Sequence, residues 1–241
     1  ECAVQNPEPF GQTKFFVMPN EQVSPQIAQV MVYYRGPDAD FDRASTYPLD
    51  VFTDYINDPS SIYAKELCDN KELKVISGDY VGGGYSTRRR TGLIHFYATV
   101  LEPEAALPSR VKKFYDDVSE NIVKGFADEK KVIGKKKLSQ MKKSRGDRQI
   151  IAAENFQSLL TDARCWWTLC DKDYYYSYEK KKDAVADSQI AAALKKYVVG
   201  KNAFVVAVVN PTVYKNLKKE FDELSFEEVK KENAFWFNDE E

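Results

Sequence analysis

Histidine is nearly absent from this chain of 241 residues, which contains only His95. A catalytic zinc ion normally needs three protein ligands, commonly two imidazoles and a carboxylate, and a serine or cysteine nucleophile normally uses a histidine base. His95 lies in the segment GLIHFYATV, where alternation places Leu93, His95 and Tyr97 on one strand face. We therefore interpret His95 as structural. The chain is expected to contain no catalytic and no metal-binding residues, and its substrate-binding residues stay unassigned.

Long apolar runs and a large excess of one charge are also missing. The longest apolar run, FVVAVV, is strand-sized, whereas a membrane helix needs about 20 apolar residues. The formal net charge of −2 argues against nucleic acid as the main partner. A composition of 43% hydrophobic and 13% aromatic residues is typical of a folded globular domain. We expect no membrane span and no nucleic-acid partner.

Cysteines are too few for a disulfide scaffold: the chain has four, at positions 2, 68, 165 and 170. Cys165 and Cys170 lie close together in CWWTLC. If this stretch is helical, the helix rise separates their Cα atoms by about 7.5 Å along the axis, beyond the roughly 7 Å limit for a disulfide bond. The sequence therefore predicts buried free thiols beside the two tryptophans.

The segments follow one another in the order strands, helix, hairpin, several helices, strand and helix, with most strand-like segments in the first half of the sequence. TKFFVMP, QIAQVMVYY and AFVVAVVNP read as strands, and residues 50–73 read as one long helix with a break near its middle. VISGDYVGGGYS and TGLIHFYATVL read as a hairpin, in which Gly82–Gly84 are expected to mark a bulge or a bend. This order predicts an α+β fold with one mainly antiparallel sheet covered by helices mainly on one face. Residues 1–12 are expected to be a linker or entry segment, and residues 13–241 a single domain.

The second half of the chain shows helical periodicity. Pro108 precedes apolar residues at helical spacing, Val111, Phe114, Val118, Ile122 and Phe126, and QIIAAENFQSLLTDARCWWTL reads as one further helix. Asp187 and Thr212 are predicted to cap the next two helices, and Gly200 to mark the end of the first. The segment YYYSYEKKKD, residues 174–183, fits either an interface or a loop packed on the core. Phe235, Trp236 and Phe237 are expected to dock in a surface groove or to fray with the acidic end.

Two further motifs have little chemical meaning by themselves. Gly82–Gly84 lack the lysine and serine of a phosphate-binding loop and lie within a strand pattern. The basic run from Lys130 to Arg148 has no interleaved aromatic residues, so we interpret it as a solvated helix face. An anionic-ligand or nucleic-acid surface on this run is the alternative, and the negative net charge gives it little weight.

Several stretches taken together resemble one domain of the pitrilysin/insulinase-type zinc peptidases. The stretches are QVMVYYRGPD, SSIYAKEL, VGGGYSTRRRTGLIHFYATVLEP and SQIAAALKKYVVGKNAFVVAVVNP, and the resemblance spans about residues 13–212. The resemblance implies the α+β half-domain of that family. It also implies that two homologous halves pair, one carrying zinc and the other closing a chamber around the peptide.

The zinc motif of the family, H-x-x-E-H on a helix, has no counterpart here. The matching region, STYPLDVFTDYINDPSSIY, offers only Asp50, Asp54 and Asp58. Carboxylates at this spacing suit a hard cation and not catalytic zinc, and we expect an exposed acidic stripe. The resemblance thus implies no cofactor in this chain and zinc in a partner domain.

The substrate-holding pair of the family, an arginine followed by a tyrosine, is missing as well. The matching positions hold Cys68 and Val75, and Tyr80 lies further along, out of register. Neither side chain at the matching positions can orient a peptide carbonyl.

Two functions follow as expectations. The first is a non-catalytic domain or subunit of a zinc metallopeptidase that helps enclose peptide substrates, with a homologous catalytic domain as its partner. The alternative is a peptidase-derived scaffold without proteolytic function. The glutamate at position 1 favours a processed product or an excised piece of a longer chain. Because bacterial relatives are often exported, an extracytoplasmic or periplasmic location is favoured.

Overall fold

A mixed sheet of six strands is the central layer of the structure, a computed structural model that describes residues 9–90 and 92–230. Its strand order is β3-β4-β2-β5-β1-β6. The strands are β1 Lys14–Pro19, β2 Ile27–Arg35, β3 Val81–Ser86, β4 Leu93–Leu101, β5 Ala203–Val209 and β6 Glu227–Glu228. The pairs β3–β4, β4–β2 and β2–β5 are antiparallel, whereas β1 runs parallel to β5 and to β6. The predicted α+β fold with a mainly antiparallel sheet is confirmed.

The helices are α1 Arg43–Ile56, α2 Ile62–Asp69, α3 Leu107–Asp116, α4 Lys124–Ala127, α5 Lys135–Ala153, α6 Phe156–Leu169, α7 Lys172–Asp183, α8 Asp187–Tyr197 and α9 Pro211–Glu223. A π-helical segment, Asp117–Val123, joins α3 to α4, and a short 3-10 turn, Gly78–Tyr80, precedes β3.

The two faces of the sheet differ, as alternation along the central strands predicts. Val32 and Phe96 are fully buried on one face, where Phe52 of α1 packs edge-on against Phe96. On the opposite face, which we call the open face, Tyr33 and Val206 are half-buried. The helices therefore cover the sheet mainly on one side, and the open face presents apolar side chains to solvent.

The glycine-rich strand β3 is regular. Its residues pair one to one with β4, from Val81 with Ala98 to Ser86 with Leu93, so the predicted bulge or bend at Gly82–Gly84 is wrong. The glycines are required for a close approach instead. A Cβ on Gly82 would lie 2.1 Å from Asn57 Oδ1, and a Cβ on Gly84 would lie 2.5 Å from the ring of His95.

The boundaries of two predicted helices are wrong. The break predicted near the middle of residues 50–73 is confirmed, because it separates α1 from α2, but α1 already begins at Arg43 with Pro48 inside it and α2 ends at Asp69. Pro48 lacks the N–H that an interior helical residue normally donates. The sequence therefore suggests a helix that begins after Pro48. The second helix, predicted from QIIAAENFQSLLTDARCWWTL, is divided between α5 and α6, and α5 begins earlier, within the basic run.

The π-helical segment explains how apolar residues spaced by four from α3 to α4 all stay buried. Phe114, Val118, Ile122 and Phe126 follow one another at steps of four, and in an α-helix each such step drifts about 40° past a full turn. The wider π turn at Asp117–Val123 offsets this drift. All four side chains consequently face the core.

The predicted helix caps are each shifted. Ala186 is the N-cap of α8, and the Asp187 carboxylate accepts hydrogen bonds from the backbone of Ile133 at 2.8 Å and of Gly134 at 3.1 Å. Asn210, not Thr212, caps α9, because its side chain accepts a hydrogen bond from the Thr212 N–H at 2.9 Å. Asp187 thus ties the start of α8 to the loop before α5.

The predicted entry segment is only partly described. Phe10 stacks on Phe204 of the open face with ring centroids 4.1 Å apart, and Asn202 Nδ2 donates to the Phe10 carbonyl at 2.9 Å. Residues 1–8 lie outside the described residues, as do Phe235, Trp236 and Phe237, for which docking or fraying was expected.

Candidate functional site

Three aspartates lie on α1 and in the loop after it, in the region that the sequence resemblance matches to a metal motif. Asp50 and Asp54 project from α1, and Asp58 follows two residues after α1 ends at Ile56. We use the name aspartate row for these three residues. The expectation of an exposed acidic stripe is correct for Asp54 and wrong for Asp50 and Asp58, which are half-buried. Side chains from α5 and α7 lie against the row.

Helix α7 supplies partners for the first two aspartates. Asp50 Oδ2 accepts a hydrogen bond from the Tyr178 hydroxyl at 2.8 Å, and Asp54 Oδ2 lies 3.0 Å from Lys182 Nζ. Tyr178 and Lys182 are spaced by four residues, so they occupy the same face of α7 as the buried Tyr174.

Helix α5 supplies the remaining partners. Lys137 forms an ion pair with Asp58. Arg145, which is only 9% exposed, places Nη1 3.6 Å from Asp54 Oδ2 and donates from Nη2 to Asp183 at 2.9 Å. The basic run therefore provides side chains that cross to α1, and the prediction of a solvated helix face does not hold for Lys137 and Arg145.

The pKa values within the row move in opposite directions. Burial raises the pKa of the Asp50 carboxyl to about 7, and Lys182 and the Tyr178 hydrogen bond oppose this shift. Hydrogen bonds from Lys137 and Ser60 lower the pKa of Asp58 to about 2. Near neutral pH, Asp58 is therefore ionised and Asp50 is divided between its charged and neutral forms.

The donor set of the row does not fit a catalytic zinc ion. Within residues 9–90 and 92–230, no group of three or more histidine, cysteine, aspartate or glutamate side chains is placed to hold a metal. Zinc in hydrolytic sites prefers imidazole with a carboxylate and needs an open position for water. The aspartates face two lysines and an arginine instead, and a divalent ion would have to displace those cations.

A cavity of about 500 Å³ lies beside the row, between α1 and α5. It is lined by Asp54, Asn57, Asp58, Lys137, Gln140, Met141, Ser144 and Arg145. The charges on its walls are of both signs and already pair with one another. The cavity can donate and accept hydrogen bonds, but it holds no imidazole base.

The outer edge of the sheet is closed by a side chain from the same region. Asn57 Nδ2 donates to the Gly83 carbonyl at 2.8 Å, and the Gly83 N–H donates to Asn57 Oδ1 at 3.0 Å. Gly83 belongs to β3, the edge strand of the sheet. Asn57 therefore occupies the backbone groups with which an added strand would pair.

Cys68 and Val75, which match the substrate-holding pair in the sequence, lie on α2 and in the segment between α2 and β3. Cys68 is half-buried on α2, and burial raises the pKa of its thiol. Val75 forms an isolated β-bridge with Val100. Tyr80 ends the 3-10 turn before β3 and is half exposed.

His95 lies on the open face of the sheet. Its ring is 5.9 Å from the Tyr33 ring and 6.4 Å from the Tyr97 ring, and it covers Gly84. Burial lowers the pKa of His95, so the imidazole is neutral near pH 7. These contacts are those of a packed side chain, and the predicted sharing of one face with Leu93 and Tyr97 is confirmed.

The thiols are free where the structure describes them, but their burial differs from the prediction. Cys170 is buried, whereas Cys165 is exposed on α6. The expectation of two buried thiols is therefore wrong for Cys165. Cys2 lies outside the described residues.

Tyr178 and Lys182 are the site residues that the sequence did not reveal. The segment at 174–183 was interpreted only as an interface or a loop, whereas it forms α7. The signal was present, because Tyr174, Tyr178 and Lys182 follow one another at four-residue steps.

Comparisons with known proteins come from solved structures alone. No protein-family model and no curated protein sequence matches the chain. The inactive domain of an M16 peptidase from Pseudomonas fluorescens is 12% identical with a TM-score of 0.61, and the match covers 86% of this chain and 46% of that one. The inactive peptidase domain of a zinc protease from Bordetella parapertussis is 14% identical with a TM-score of 0.60, and the match covers 77% of this chain and 92% of that one.

Two longer proteases share the fold over a part of their length. A protease from Helicobacter pylori is 14% identical with a TM-score of 0.59, and the match covers 80% of this chain. The chain spans 43% of that protease and 21% of PqqL, a periplasmic protease from Escherichia coli that is 17% identical with a TM-score of 0.57 over 83% of this chain. The chain thus has the fold of M16-type peptidase domains, inactive ones among them, and it spans less than half of the longer chains.

Proposed function

We propose that this chain is a non-catalytic domain or subunit of a zinc peptidase, and that it helps to enclose peptide substrates while a homologous domain carries the metal. The observation that carries the proposal is the aspartate row, where Lys137, Arg145 and Lys182 take the place of a metal ion. The shared fold with inactive peptidase domains supports it.

The same observation explains why hydrolysis would need a second domain. A peptidase metal must bind a water molecule and lower its pKa. In this chain the cationic side chains neutralise the carboxylates that could otherwise attract the metal, and no imidazole lies among them. The chemistry must therefore come from the partner.

The open face of the sheet is the surface that we assign to the partner half. Five side chains are half-buried there: Phe16, Met31, Tyr33, Phe204 and Val206. On the opposite face, Val32 of β2 and Val205 of β5 are fully buried. Interfaces between permanently paired domains are apolar and resemble a divided core.

The test is to measure association with a homologous domain that contains H-x-x-E-H, and peptide cleavage by the pair. We expect Val206→Lys to weaken association about tenfold or more, because it buries a charge in the interface. Val132→Lys is the matched control, since Val132 is exposed at 46% in a loop away from the open face. Equal association of both variants would contradict the assigned surface.

A scaffold without proteolytic function is the second candidate. Cys68 and Val75 stand where the substrate-holding pair is expected, and neither can hold a peptide carbonyl. The two candidates are separated by the partner that co-purifies with the chain. A partner with H-x-x-E-H supports the peptidase, and a partner without the motif supports the scaffold.

An extracytoplasmic location completes the proposal. Within the described residues, no helix is long and apolar enough to cross a membrane. The similarity in fold to a periplasmic protease of Escherichia coli supports export. Fractionation of the native host, with detection of the chain outside the cytoplasm, would test the location.

A further inference from the structure

The aromatic residues of α6 and α7 form two layers with different surroundings. Trp166 of α6 stacks inward on Tyr174 and Tyr178 of α7, with ring centroids 5.7 Å and 5.6 Å apart. Its neighbour Trp167 points outward and is 49% exposed, and it contacts Tyr176, which is 72% exposed, at 6.4 Å between ring centroids. The inner layer packs α6 against α7, whereas Trp167 and Tyr176 of the outer layer are largely exposed to solvent.

Further exposed side chains continue this outer layer. Leu160, 50% exposed, lies seven residues before Trp167 and on the same side of α6. Lys172, Tyr176 and Lys180 are exposed and follow one another at four-residue steps on α7. We call Leu160, Arg164, Trp167, Lys172, Tyr176 and Lys180 the outer patch.

The cations of the outer patch have no ion-pair partner in the part of the chain that the structure describes. Among the residues that the structure describes, neither Arg164, Lys172 nor Lys180 forms a side-chain hydrogen bond or an ion pair, whereas Lys137, Lys182 and Arg145 on the inner side all do. Asp173 is the exposed acidic residue between them on α7. The patch therefore carries an excess of positive charge on a chain whose net charge is −2.

The outer patch is also concave. A cavity of about 500 Å³ opens on α6, and it is lined by Gln157, Leu160, Thr161, Ala163, Arg164, Trp167 and Thr168. Arg164 is the charged residue among these, so the cavity offers an apolar floor with a cation at its wall. Such a shape accepts a protruding apolar side chain, which a flat lipid surface does not supply.

We propose that the outer patch binds an acidic segment of a partner polypeptide. An apolar side chain of that segment enters the cavity between Leu160 and Trp167, and its carboxylates pair with Arg164, Lys172 and Lys180. Tryptophan, tyrosine and arginine are the residues that most often dominate the energetics of interfaces. This interaction is separate from pairing through the open face of the sheet and does not depend on it.

The test uses the full chain and a fluorescently labelled, terminally blocked peptide in which glutamate alternates with leucine and phenylalanine. Binding is followed by fluorescence anisotropy. We expect Trp167→Ala and Arg164→Glu each to weaken binding about tenfold, and added salt to weaken binding by the wild-type chain. Matched controls are Ile150→Ala, at a 68% exposed apolar residue of α5, and Lys219→Glu on α9, and both are expected to bind as the wild type does.

Three outcomes would overturn the proposal. The first is the absence of peptide binding by the wild-type chain, and the second is binding by the Trp167→Ala and Arg164→Glu variants that equals wild-type binding. The third is binding to phosphatidylglycerol vesicles without binding to the peptide, which would assign the patch to a membrane surface. A peptide with lysine in place of glutamate is expected to bind more weakly. Equal binding of the two peptides would show that Arg164, Lys172 and Lys180 do not pair with the carboxylates of the peptide.

Discussion

Burial makes the Asp50 carboxyl difficult to ionise. The carboxylate is removed from water beneath α7, and the hydrogen bond from Tyr178 and the charge of Lys182 compensate only in part. Because the pKa of Asp50 is raised in the folded chain, the folded state binds this proton more tightly than the unfolded state. The resulting stabilisation is complete below the unfolded pKa, near pH 4, and is lost as the pH rises through about 7.

Replacement of this carboxyl tests the assignment. In Asp50→Asn the side chain cannot ionise, so the fall in the free energy of unfolding between about pH 4 and pH 8 should shrink by roughly 1–3 kcal/mol. Urea denaturation across this pH range measures the difference. Asp173→Asn, at an exposed position of α7, is the control and should leave the wild-type profile unchanged. Equal profiles for Asp50→Asn and the wild type would refute the raised pKa.

Arg145 and Lys137 differ in the stability that they contribute. Arg145 is buried and serves both Asp54 and Asp183, whereas the Lys137 side chain is 29% exposed. Removing one partner of a buried ion pair is costly, but exposed pairs contribute about 0–1 kcal/mol.

We therefore expect Arg145→Met to lower the free energy of unfolding by about 2 kcal/mol and Lys137→Met by less than about 1 kcal/mol. The loss at Arg145 stays below that of an isolated buried pair because Lys182 still pairs with Asp54 and Lys142 with Asp183. Both variants can be compared by urea denaturation at neutral pH. Equal losses would contradict the difference in burial on which the prediction rests.

At the scale of single residues, the one histidine of the chain predicts that it has no zinc ligand set, and this stays a prediction. The state of the aspartates could not be predicted. Asp54 and Asp58 are paired with side chains that lie far along the chain, such as Lys182 and Lys137, and local spacing says nothing about such contacts. Local spacing therefore does not reveal that Asp54 and Asp58 form ion pairs in the fold.

At the scale of elements, the sheet edge at β3 is controlled by α1. A free edge strand presents unpaired backbone groups that recruit other strands. Asn57, directly after α1, makes both available hydrogen bonds to Gly83, and Gly82 leaves the room for its side chain.

Asn57→Ala should free the edge strand. We expect faster hydrogen exchange at the Gly83 amide and a loss of about 1–2 kcal/mol, because two hydrogen bonds are removed. Asn121→Ala is the matched control, since Asn121 donates a single exposed hydrogen bond to Asp117 at 3.1 Å. An unchanged exchange rate at Gly83 in the Asn57 variant would show that the edge is protected by something else.

Elements with strong periodicity were predicted correctly, and those with competing signals were not. β2 and β5 were found because their apolar runs are long and rich in β-branched residues. The start of α1 was missed because Pro48 hides it, and a bulge was expected in β3 because its glycines suggest irregular backbone. In β3, Gly82 and Gly84 leave room for the side chains of Asn57 and His95, which lie outside this strand. The reason for these glycines is therefore a tertiary contact, which the local sequence does not show.

At the scale of the whole molecule, helices cover one face of the sheet and leave most of the other face partly exposed. The helices bury one face, and the open face keeps half-exposed aromatic and apolar residues such as Tyr33 and Phe204. The chain also spans only 43% of the length of the Helicobacter pylori protease whose fold it shares. In the proposed function, a homologous partner half covers this open face.

The most direct test of this account is the zinc content of the purified chain after incubation with excess zinc and removal of unbound metal. Atomic absorption should find far less than one zinc ion per chain, and a quenched peptide substrate should remain uncleaved. The contradicting result would be about one tightly bound zinc ion per chain, together with peptide cleavage that a chelator abolishes and added zinc restores.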